Sequence, residues 1–319
     1  MSTQDTSRIP MVQFLSPDGT YGVPAEYAEY GKIIADLKEE DFLKFYRHMT
    51  RMRRFDNEAT ALQRQGQLGL WVPAVGQEAA QIGSGHAVGK NDHIFPSYRE
   101  HGVAITHDID LMAILKMLRG VNHGGWNPDE TRFHLYAIVL GTQVLHATGY
   151  AMGVKFDGKV GTGFAERDEA VITYFGDGAT AEGDISESFL FAAINNAPLV
   201  FFCQNNHWAI SVPVSTQARV PLYKRGEGFG IPGVQVDGIT ADRRRTRAIA
   251  HGFAAIAQGI EFGEEIVLAQ LLSDEQLERT RVHLGRDGPA LAGELLLHHG
   301  IEVNGEAGQH HKADQAEFN

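Results

Sequence analysis

The stretch that decides the fold runs from Glu169 to Asn206 and reads EAVITYFGDGATAEGDISESFLFAAINNAPLVFFCQNN. Its segments VITYF and LVFFCQ are short and almost wholly apolar, which is typical of strands buried on both faces of a sheet. The residues between them place apolar side chains at helical spacing, namely Ile185, Phe189, Ala192 and Ala193. The stretch therefore predicts a strand, a helix and a second strand parallel to the first.

Polar residues follow both predicted strands. Asp177 comes directly after the first strand and Asn206 after the second. Parallel strands joined by one right-handed crossover end at the same edge of the sheet, so we expect these side chains to meet where open α/β sheets bind ligands. Taken singly, GDG and NN are each more typical of tight turns, but their common position favours a ligand site.

The residue types at this edge suit a divalent cation that bridges to phosphate. Carboxylate and amide oxygens are hard ligands, which Mg²⁺ prefers, and the main-chain oxygen of Trp208 offers a third. The amino end of the predicted helix, from Ala179 to Gly183, favours the same anion. Gly176 and Gly178 allow the main chain to approach a ligand closely. A nicotinamide site is disfavoured because Ala181 stands where a G-x-G-x-x-G fingerprint needs its third glycine.

Composition narrows the class of protein and its partners. The chain has 319 residues, 43% of them hydrophobic, and a formal net charge of -12, which argues against a nucleic-acid partner. Its lone cysteine, Cys203, lies in an apolar run and is expected to pack as a small apolar residue in a reducing compartment. The chain shows no apolar run of about 20 residues and no signal-peptide pattern. We therefore expect a cytoplasmic protein without a membrane partner.

The rest of the chain predicts further helices and one more strand. Residues 39–66, 76–87, 109–118 and 140–156 have helical apolar spacing, and HIFPS at 93–97 reads as a strand. We expect an extended amino-terminal arm over 1–34, an α/β domain over 35–238, and a divergent carboxyl-terminal region over 239–319.

Six segments, in order, resemble the alpha subunit of the thiamine diphosphate-dependent decarboxylating component of 2-oxo acid dehydrogenase complexes. They are GQEAAQIG (76–83), SYREHGV (97–103), GTQVLHATGYAMG (141–153), GDGATAEGD (176–184), QNNHWAISVPVSTQ (204–217) and GIPGVQVDG (230–238). The branched-chain type is the most similar and pyruvate dehydrogenase a near relative. The resemblance implies a thiamine diphosphate-binding α/β fold with a mostly parallel sheet and helices on both faces.

The resemblance also implies roles for individual residues. It assigns Asp177, Asn206 and the main-chain oxygen of Trp208 to Mg²⁺, and Tyr98 and Arg99 to the diphosphate. Further cofactor contacts would come from Ile138, Leu140, Gly178, Ala179 and Glu182. Thr142 and Gln143 resemble a monovalent-cation site, for which K⁺ is the candidate. His123 would be a catalytic histidine of an active-site loop.

The implied partners are a beta subunit, in an α2β2 heterotetramer, and a transacylase that carries the lipoyl group. The implied substrate is a small branched-chain 2-oxo acid, with pyruvate as the alternative. Residues 239–319 depart from the family because no H-T-x-x-D-D loop follows Gly238. This departure suggests a shifted reading frame or a truncated or recombined end. It leaves open a second possibility, an inactive subunit that keeps the fold and the cofactor site.

Overall fold

The structure, a computed structural model, describes residues 11–14, 20–122, 124–164, 166–238 and 268–271. Within these residues a five-stranded parallel sheet has the order β1, β2, β3, β7, β6. Its strands are β1 (His93–Phe95), β2 (Val171–Gly176), β3 (Leu199–Gln204), β6 (Gly233–Val236) and β7 (Leu268–Leu271). A small antiparallel hairpin pairs β4 (Trp208–Ala209) with β5 (Val212–Pro213).

The described helices are, in chain order, α1 (Ala28–Asp36), α2 (Glu39–Arg64), α3 (Glu78–Ala87), α4 (His101–Thr106), α5 (Leu111–Leu118), α6 (Pro128–Thr131), α7 (Thr142–Phe156), α8 (Gly183–Asn195) and α9 (Val214–Gln217). Short 3₁₀ segments cover Ala25–Tyr27, Asp177–Ala181 and Leu222–Phe229. None of the described helices has both the length and the apolar character that crossing a bilayer requires.

Successive side chains of the central strands enter two different cores, one on each face of the sheet. On β2, Ile172 and Tyr174 pack with α2 to α5, whereas Val171 and Phe175 pack with α7 and α8. Cys203, on β3, is buried in the second core, and burial raises the pKa of its thiol. Helices therefore cover both faces, which explains why these strands carry apolar residues at nearly every position. The predicted α/β class and the strand, helix, strand unit are confirmed.

Several element ends differ from the sequence prediction by one or two residues, for local reasons. The strand predicted over 93–97 ends at Phe95, because Pro96 has no N–H group for the ladder. The helix predicted from 109 begins at Leu111, because the Asp110 side chain accepts a hydrogen bond from the main-chain N–H of Met112 and caps it. Gly66 follows α2 with a φ of 71°, as predicted for a helix end.

The amino-terminal arm is not extended throughout. Residues Ala28–Asp36 form α1, and Ile34 packs into the core beside α2. Upstream, Val12 bridges to Val236 of β6 in parallel, with a hydrogen bond of 2.8 Å from its N–H to the oxygen of Gln235. Phe14 is buried in the same core as Ile34. Apolar side chains within the arm account for this difference, since burying them outweighs the polar composition around them.

A strand from the carboxyl-terminal region completes the sheet. β7 pairs in parallel with β3 on one side and with β6 on the other. Residues 268–271, which fall in the region predicted to diverge from the family, therefore form part of the central sheet. The segment DRRRTR and the rest of that region lie outside the described residues.

Candidate functional site

Asp177 occupies the turn between β2 and α8. The strand ends at Gly176, a 3₁₀ turn begins at Asp177, and α8 starts at Gly183. Asp177 is only 2% exposed, and its Oδ2 atom has no hydrogen-bond partner in the described part of the chain. A buried carboxylate oxygen without a partner is costly, so this geometry favours a bound cation.

Main-chain N–H groups and one positive charge oppose the effect of burial on this carboxyl group. Burial raises the pKa of Asp177, whereas the main-chain N–H groups of Asn206, Gly178 and Asp177 itself and the positive charge of Arg99 lower it. A hydrogen bond acts only over a short distance, so the end of β3 approaches Asp177, and the loop after β1 places the charge of Arg99 where Asp177 feels it. The structure thus brings together Asp177, Asn206 and Arg99, which are far apart in sequence.

The segment after β3 forms two consecutive side-chain turns. The Oδ1 atom of Asn205 accepts a hydrogen bond of 2.8 Å from the N–H of His207, and that of Asn206 accepts one of 3.0 Å from the N–H of Trp208. His207 adopts a left-handed conformation with a φ of 64°. The paired asparagines therefore do build a turn, and this turn directs the chain into the hairpin of β4 and β5. A carbonyl oxygen has two lone pairs, so Asn206 keeps one for a metal.

The hairpin packs against the turn that carries Asp177. A Cβ atom placed on Gly178 would lie 2.7 Å from the Cβ of Ala209, a separation that leaves no room for a side chain. Gly178 is therefore required for this close packing, and its φ is not in the left-handed region. The contact holds the segment with Asn206 and Trp208 beside the segment with Asp177.

Tyr98 and Arg99 lie on the loop between β1 and α4. Both side chains are half-buried, in contrast to their buried neighbours Ser97 and Glu100. The carboxylate of Glu100 accepts hydrogen bonds of 2.7 Å from the N–H of Ser97 and 2.8 Å from its hydroxyl. These bonds close the loop into a compact turn in which Tyr98 and Arg99 keep partial contact with solvent.

A second loop approaches the same turn from the other side. Ile138 and Leu140 are 51% and 44% exposed. The loop ends at Gly141, which has a φ of 84°, and a Cβ there would lie 3.3 Å from that of Asp184 and 3.7 Å from that of Glu182. The loop therefore lies against the amino end of α8, with Glu182 exposed and Ala179 buried.

The residues predicted for a monovalent cation begin α7. Gln143 is buried, and its amide nitrogen donates a 2.8 Å hydrogen bond to the main-chain oxygen of Tyr174. Its Oε1 atom has no partner in the described residues. Thr142 is half-buried beside it. His123, predicted as catalytic, lies outside the described residues.

Residues 46–242, more than half of the chain, match the family model described as Dehydrogenase E1 component. The chain belongs to the dehydrogenase E1 component family. This confirms the resemblance found in the sequence, and the match spans every segment that carried it.

Curated relatives include both types of E1 alpha chain. Subunit alpha of 3-methyl-2-oxobutanoate dehydrogenase from Mycobacterium tuberculosis is 40% identical over 228 residues, covering 71% of this chain and 58% of the relative. The alpha subunit of the pyruvate dehydrogenase E1 component from Staphylococcus aureus is 36% identical over 236 residues, covering 74% of this chain and 60% of the relative. This E1 chain thus spans less than two thirds of the length of these relatives.

Solved structures share the fold at low sequence identity. A transketolase from Pichia stipitis has a TM-score of 0.56 and 18% identity, covering 72% of this chain and 36% of the transketolase. A transketolase from Campylobacter jejuni has a TM-score of 0.52 and 16% identity, covering 71% of this chain and 37% of the transketolase. The E1 chain therefore has the α/β fold of the transketolases.

Buried polar residues that connect the loop of Arg99 to the end of β3 were not predicted from the sequence. Gln81, Glu100 and Gln204 are almost fully buried and bond to one another. The position of Gln81 in α3 is the feature that could have indicated them, because every residue of that helix from Glu78 to Gly85 is buried. A glutamine in such a helix needs a polar partner from elsewhere in the fold.

The donors at the site fit a hard cation that takes few carboxylates. The described residues contain no group of three or more His, Cys, Asp or Glu side chains arranged to hold a metal. A cation beside Asp177 would therefore depend on amide, main-chain and ligand oxygens as well as one carboxylate. That set suits Mg²⁺, which is often bound by one or two carboxylates together with substrate phosphates.

Proposed function

We propose that this E1 chain binds thiamine diphosphate with Mg²⁺ and acts, with a beta subunit, as a 2-oxo acid dehydrogenase. The observation that carries the proposal is the buried and unpartnered Oδ2 atom of Asp177, beside Asn206 at the edge of the sheet. The family match supports the same activity. We also propose a cytoplasmic location, because the lone cysteine is buried and the family carries out metabolic chemistry.

The proposed metal ligands are the carboxylate of Asp177, the amide oxygen of Asn206 and the main-chain oxygen of Trp208. All three are hard oxygens, and the packing of Gly178 on Ala209 supports their nearness. The diphosphate would be held by Arg99 and Tyr98. An arginine presents a planar fork of donors for phosphate oxygens, and the amino end of α8 adds partial positive charge.

Contacts to the remainder of the cofactor are proposed for the loop before α7 and the turn before α8. They would involve the main chain of Ile138 and Leu140, together with Gly178, Ala179 and Glu182. A K⁺ ion beside Thr142 and Gln143 is also proposed, and the unpartnered Oε1 atom of Gln143 supports it as a neutral oxygen ligand.

Thiamine diphosphate supplies a nucleophilic carbon that decarboxylates a 2-oxo acid and carries the acyl fragment to a lipoyl group. The residues of this chain would anchor the cofactor at its diphosphate end, because their donors and oxygen ligands cluster there. His123 is the proposed catalytic histidine, as the resemblance to the family implies. The resemblance also implies that the glutamate that activates the aminopyrimidine of the cofactor would come from the proposed beta subunit.

Exposed apolar surface supports a protein partner over the site. Ile138, Val139 and Leu140 on one side, and Trp208 and Ile210 on the other, all expose large apolar side chains. The outward face of α7 and α8 adds further exposed apolar residues, among them Phe156, Leu190, Phe191 and Ile194. Exposed apolar side chains in such number on these elements are typical of protein interfaces. We assign this surface to the beta subunit of an α2β2 assembly, which would deliver the acyl group to a lipoyl-bearing transacylase.

The proposed substrate is a branched-chain 2-oxo acid, because the branched-chain relative from M. tuberculosis has the higher identity of the two compared relatives. Pyruvate is the alternative. The two differ by a few methyl and methylene groups, which a pocket separates by only about 1 to 3 kcal/mol each. A second candidate is an inactive subunit that binds the cofactor, favoured by the missing H-T-x-x-D-D loop.

Co-expression with a beta subunit of the same family tests these proposals. We expect decarboxylation of 3-methyl-2-oxobutanoate that depends on added thiamine diphosphate and Mg²⁺, with pyruvate a poorer substrate. Faster decarboxylation of pyruvate would establish the alternative substrate. Cofactor binding without decarboxylation of either acid would establish the inactive subunit, and absence of both would refute the proposed function.

A further inference from the structure

A buried hydrogen-bonded relay connects the loop of Arg99 to the end of β3. Gln204 Nε2 donates to Glu100 Oε1 at 2.5 Å, and Gln81 Nε2 donates to Gln204 Oε1 at 3.1 Å. Gln81 Nε2 also donates to the main-chain oxygen of Arg99 at 3.1 Å. Gln81 Oε1 accepts from the N–H of Gly102 at 2.9 Å. The relay thus contacts the carboxyl-terminal end of the Arg99 loop and the first turn of α4.

The position of Gln204 makes the relay relevant to the metal end of the site. Gln204 is the last residue of β3, and Asn205 and Asn206 follow it directly. Its register partner on β2 is Gly176, which precedes Asp177. The side chain of Gln204 is therefore fixed at the point where both proposed metal-binding segments leave the sheet.

Glu100 sets the orientation of the Gln204 amide, and the N–H of Gly102 and the main-chain oxygen of Arg99 require the matching orientation of Gln81. Its Oε2 atom accepts from the N–H and hydroxyl of Ser97, and its Oε1 atom accepts from Gln204. A carboxylate only accepts, so Gln204 must present its nitrogen to Glu100 and its oxygen to Gln81. Gln81 must then present its nitrogen to Gln204, and the same nitrogen reaches the oxygen of Arg99.

We propose that Glu100 is a positioning residue, which orients Gln204 and Gln81 and thereby fixes the Arg99 loop opposite Asp177 and Asn206. This inference rests on the proposed binding of thiamine diphosphate with Mg²⁺. Glu100 itself does not reach the ligand, because it is 1% exposed and its carboxylate is occupied by Ser97 and Gln204. It acts through the residues it orients.

The variant Glu100→Gln tests this role because it keeps the size of the side chain while it changes the hydrogen-bond direction and removes one negative charge, which the double variant described below restores. The introduced amide has one oxygen, and Ser97 donates to that oxygen. The nitrogen of the introduced amide therefore faces the nitrogen of Gln204, and two donors cannot bond to each other. To remove this clash the amide of Gln204 must flip, and the amide of Gln81 must then flip as well, which removes the bond from Gln81 to the oxygen of Arg99. We expect the Kd for thiamine diphosphate, at saturating Mg²⁺, to rise about tenfold or more.

The double variant Glu100→Gln with Gln204→Glu is the rescue. The amide nitrogen introduced by the first substitution then donates to the carboxylate introduced by the second. The other oxygen of that carboxylate accepts from Gln81, so every bond of the relay is restored. A role in stability alone does not predict this recovery of ligand affinity. We expect the Kd of the double variant to return to within about threefold of the wild-type value.

Asp92→Asn is the matched control. Asp92 is also a buried carboxylate that accepts main-chain hydrogen bonds, 2.7 Å from the N–H of Gly89 and 2.9 Å from that of Ala170. It lies just before β1, at the amino end of the sheet, away from the proposed site. We expect this variant to lower thermal stability and to leave the Kd for thiamine diphosphate unchanged.

The measurement is calorimetric titration of thiamine diphosphate with Mg²⁺ into the full chain and into its complex with the beta subunit. Weaker binding by Glu100→Gln, recovery in the double variant and no change in Asp92→Asn support the positioning role. Wild-type affinity in Glu100→Gln, or no recovery in the double variant, overturns it and leaves the proposed function intact. No binding by the wild type in either form overturns both.

Discussion

Replacing Gly178 by alanine should disturb the site through packing alone. The added Cβ would lie 2.7 Å from the Cβ of Ala209 and 3.5 Å from its Cα, whereas carbon atoms in contact normally lie about 3.5 to 4.0 Å apart. The hairpin of β4 and β5 must therefore move by about 1 Å, and it cannot yield by rotating a side chain. Overpacking of this kind typically costs about 1 to 3 kcal/mol.

Urea and thermal unfolding of the full chain measure this cost. We expect the free energy of unfolding to fall by about 2 kcal/mol and the Tm by about 4 to 8 °C. Gly183→Ala is the control, because Gly183 begins α8 and a Cβ there would meet nothing within 4 Å. Alanine is favoured over glycine in a helix by about 0.5 to 1 kcal/mol, so this variant should be no less stable than the wild type. Equal stability of the two variants would refute the close packing.

Three other predictions concern buried polar groups. Burial lowers the pKa of His101 from its ordinary value of 6.5 to about 3, so the unfolded chain binds the proton more tightly and stability falls as pH drops below 6.5. At pH 5 this one group should lower the free energy of unfolding by about 2 kcal/mol relative to pH 7.5. Urea titrations of the wild type and of His101→Gln at both pH values measure this, and we expect the difference in free energy between the two pH values to be smaller in the variant. The carboxylate of Asp56 accepts hydrogen bonds from Trp71 Nε1 at 2.8 Å and from the N–H of Ala74, so Asp56→Ala should destabilise the chain by about 2 to 4 kcal/mol in urea unfolding. Glu58→Ala is the control for Asp56→Ala, because it removes only an exposed ion pair with Arg54, and it should change stability by less than about 1 kcal/mol. Similar losses of stability in Asp56→Ala and Glu58→Ala would contradict this account. Asp177→Asn should not destabilise the chain in the absence of Mg²⁺, because it removes a buried charge whose Oδ2 atom has no hydrogen-bond partner in the described residues; a clear drop in Tm measured in EDTA would contradict this.

The continuous apolar runs and the helical spacing of the apolar residues between them were enough to predict the central unit of the fold. Runs such as VITYF and LVFFCQ are apolar at nearly every position because both faces of the sheet are covered. The meeting of Asp177 and Asn206 also follows from sequence, since the topology of one crossover fixes it. No longer-range information is needed for either prediction.

The remaining features depend on contacts between distant segments. The buried Val12 and Phe14 lie in a polar arm, and nothing local indicates that Val12 bridges to β6. β7 enters the sheet between β3 and β6 although its sequence follows a segment that departs from the family. The relay through Glu100 joins residues 81, 100 and 204, whose hydrogen bonds depend on side-chain placement that local spacing does not determine.

The central claim is that Asp177 and Asn206 hold a divalent cation that bridges to the diphosphate of a cofactor. Calorimetric titration of thiamine diphosphate into the chain and its beta-subunit complex, with Mg²⁺ or with EDTA, tests it most directly. We predict binding that requires Mg²⁺ and that Asp177→Asn abolishes. Binding of equal strength in EDTA, or undiminished binding by Asp177→Asn, would contradict the claim.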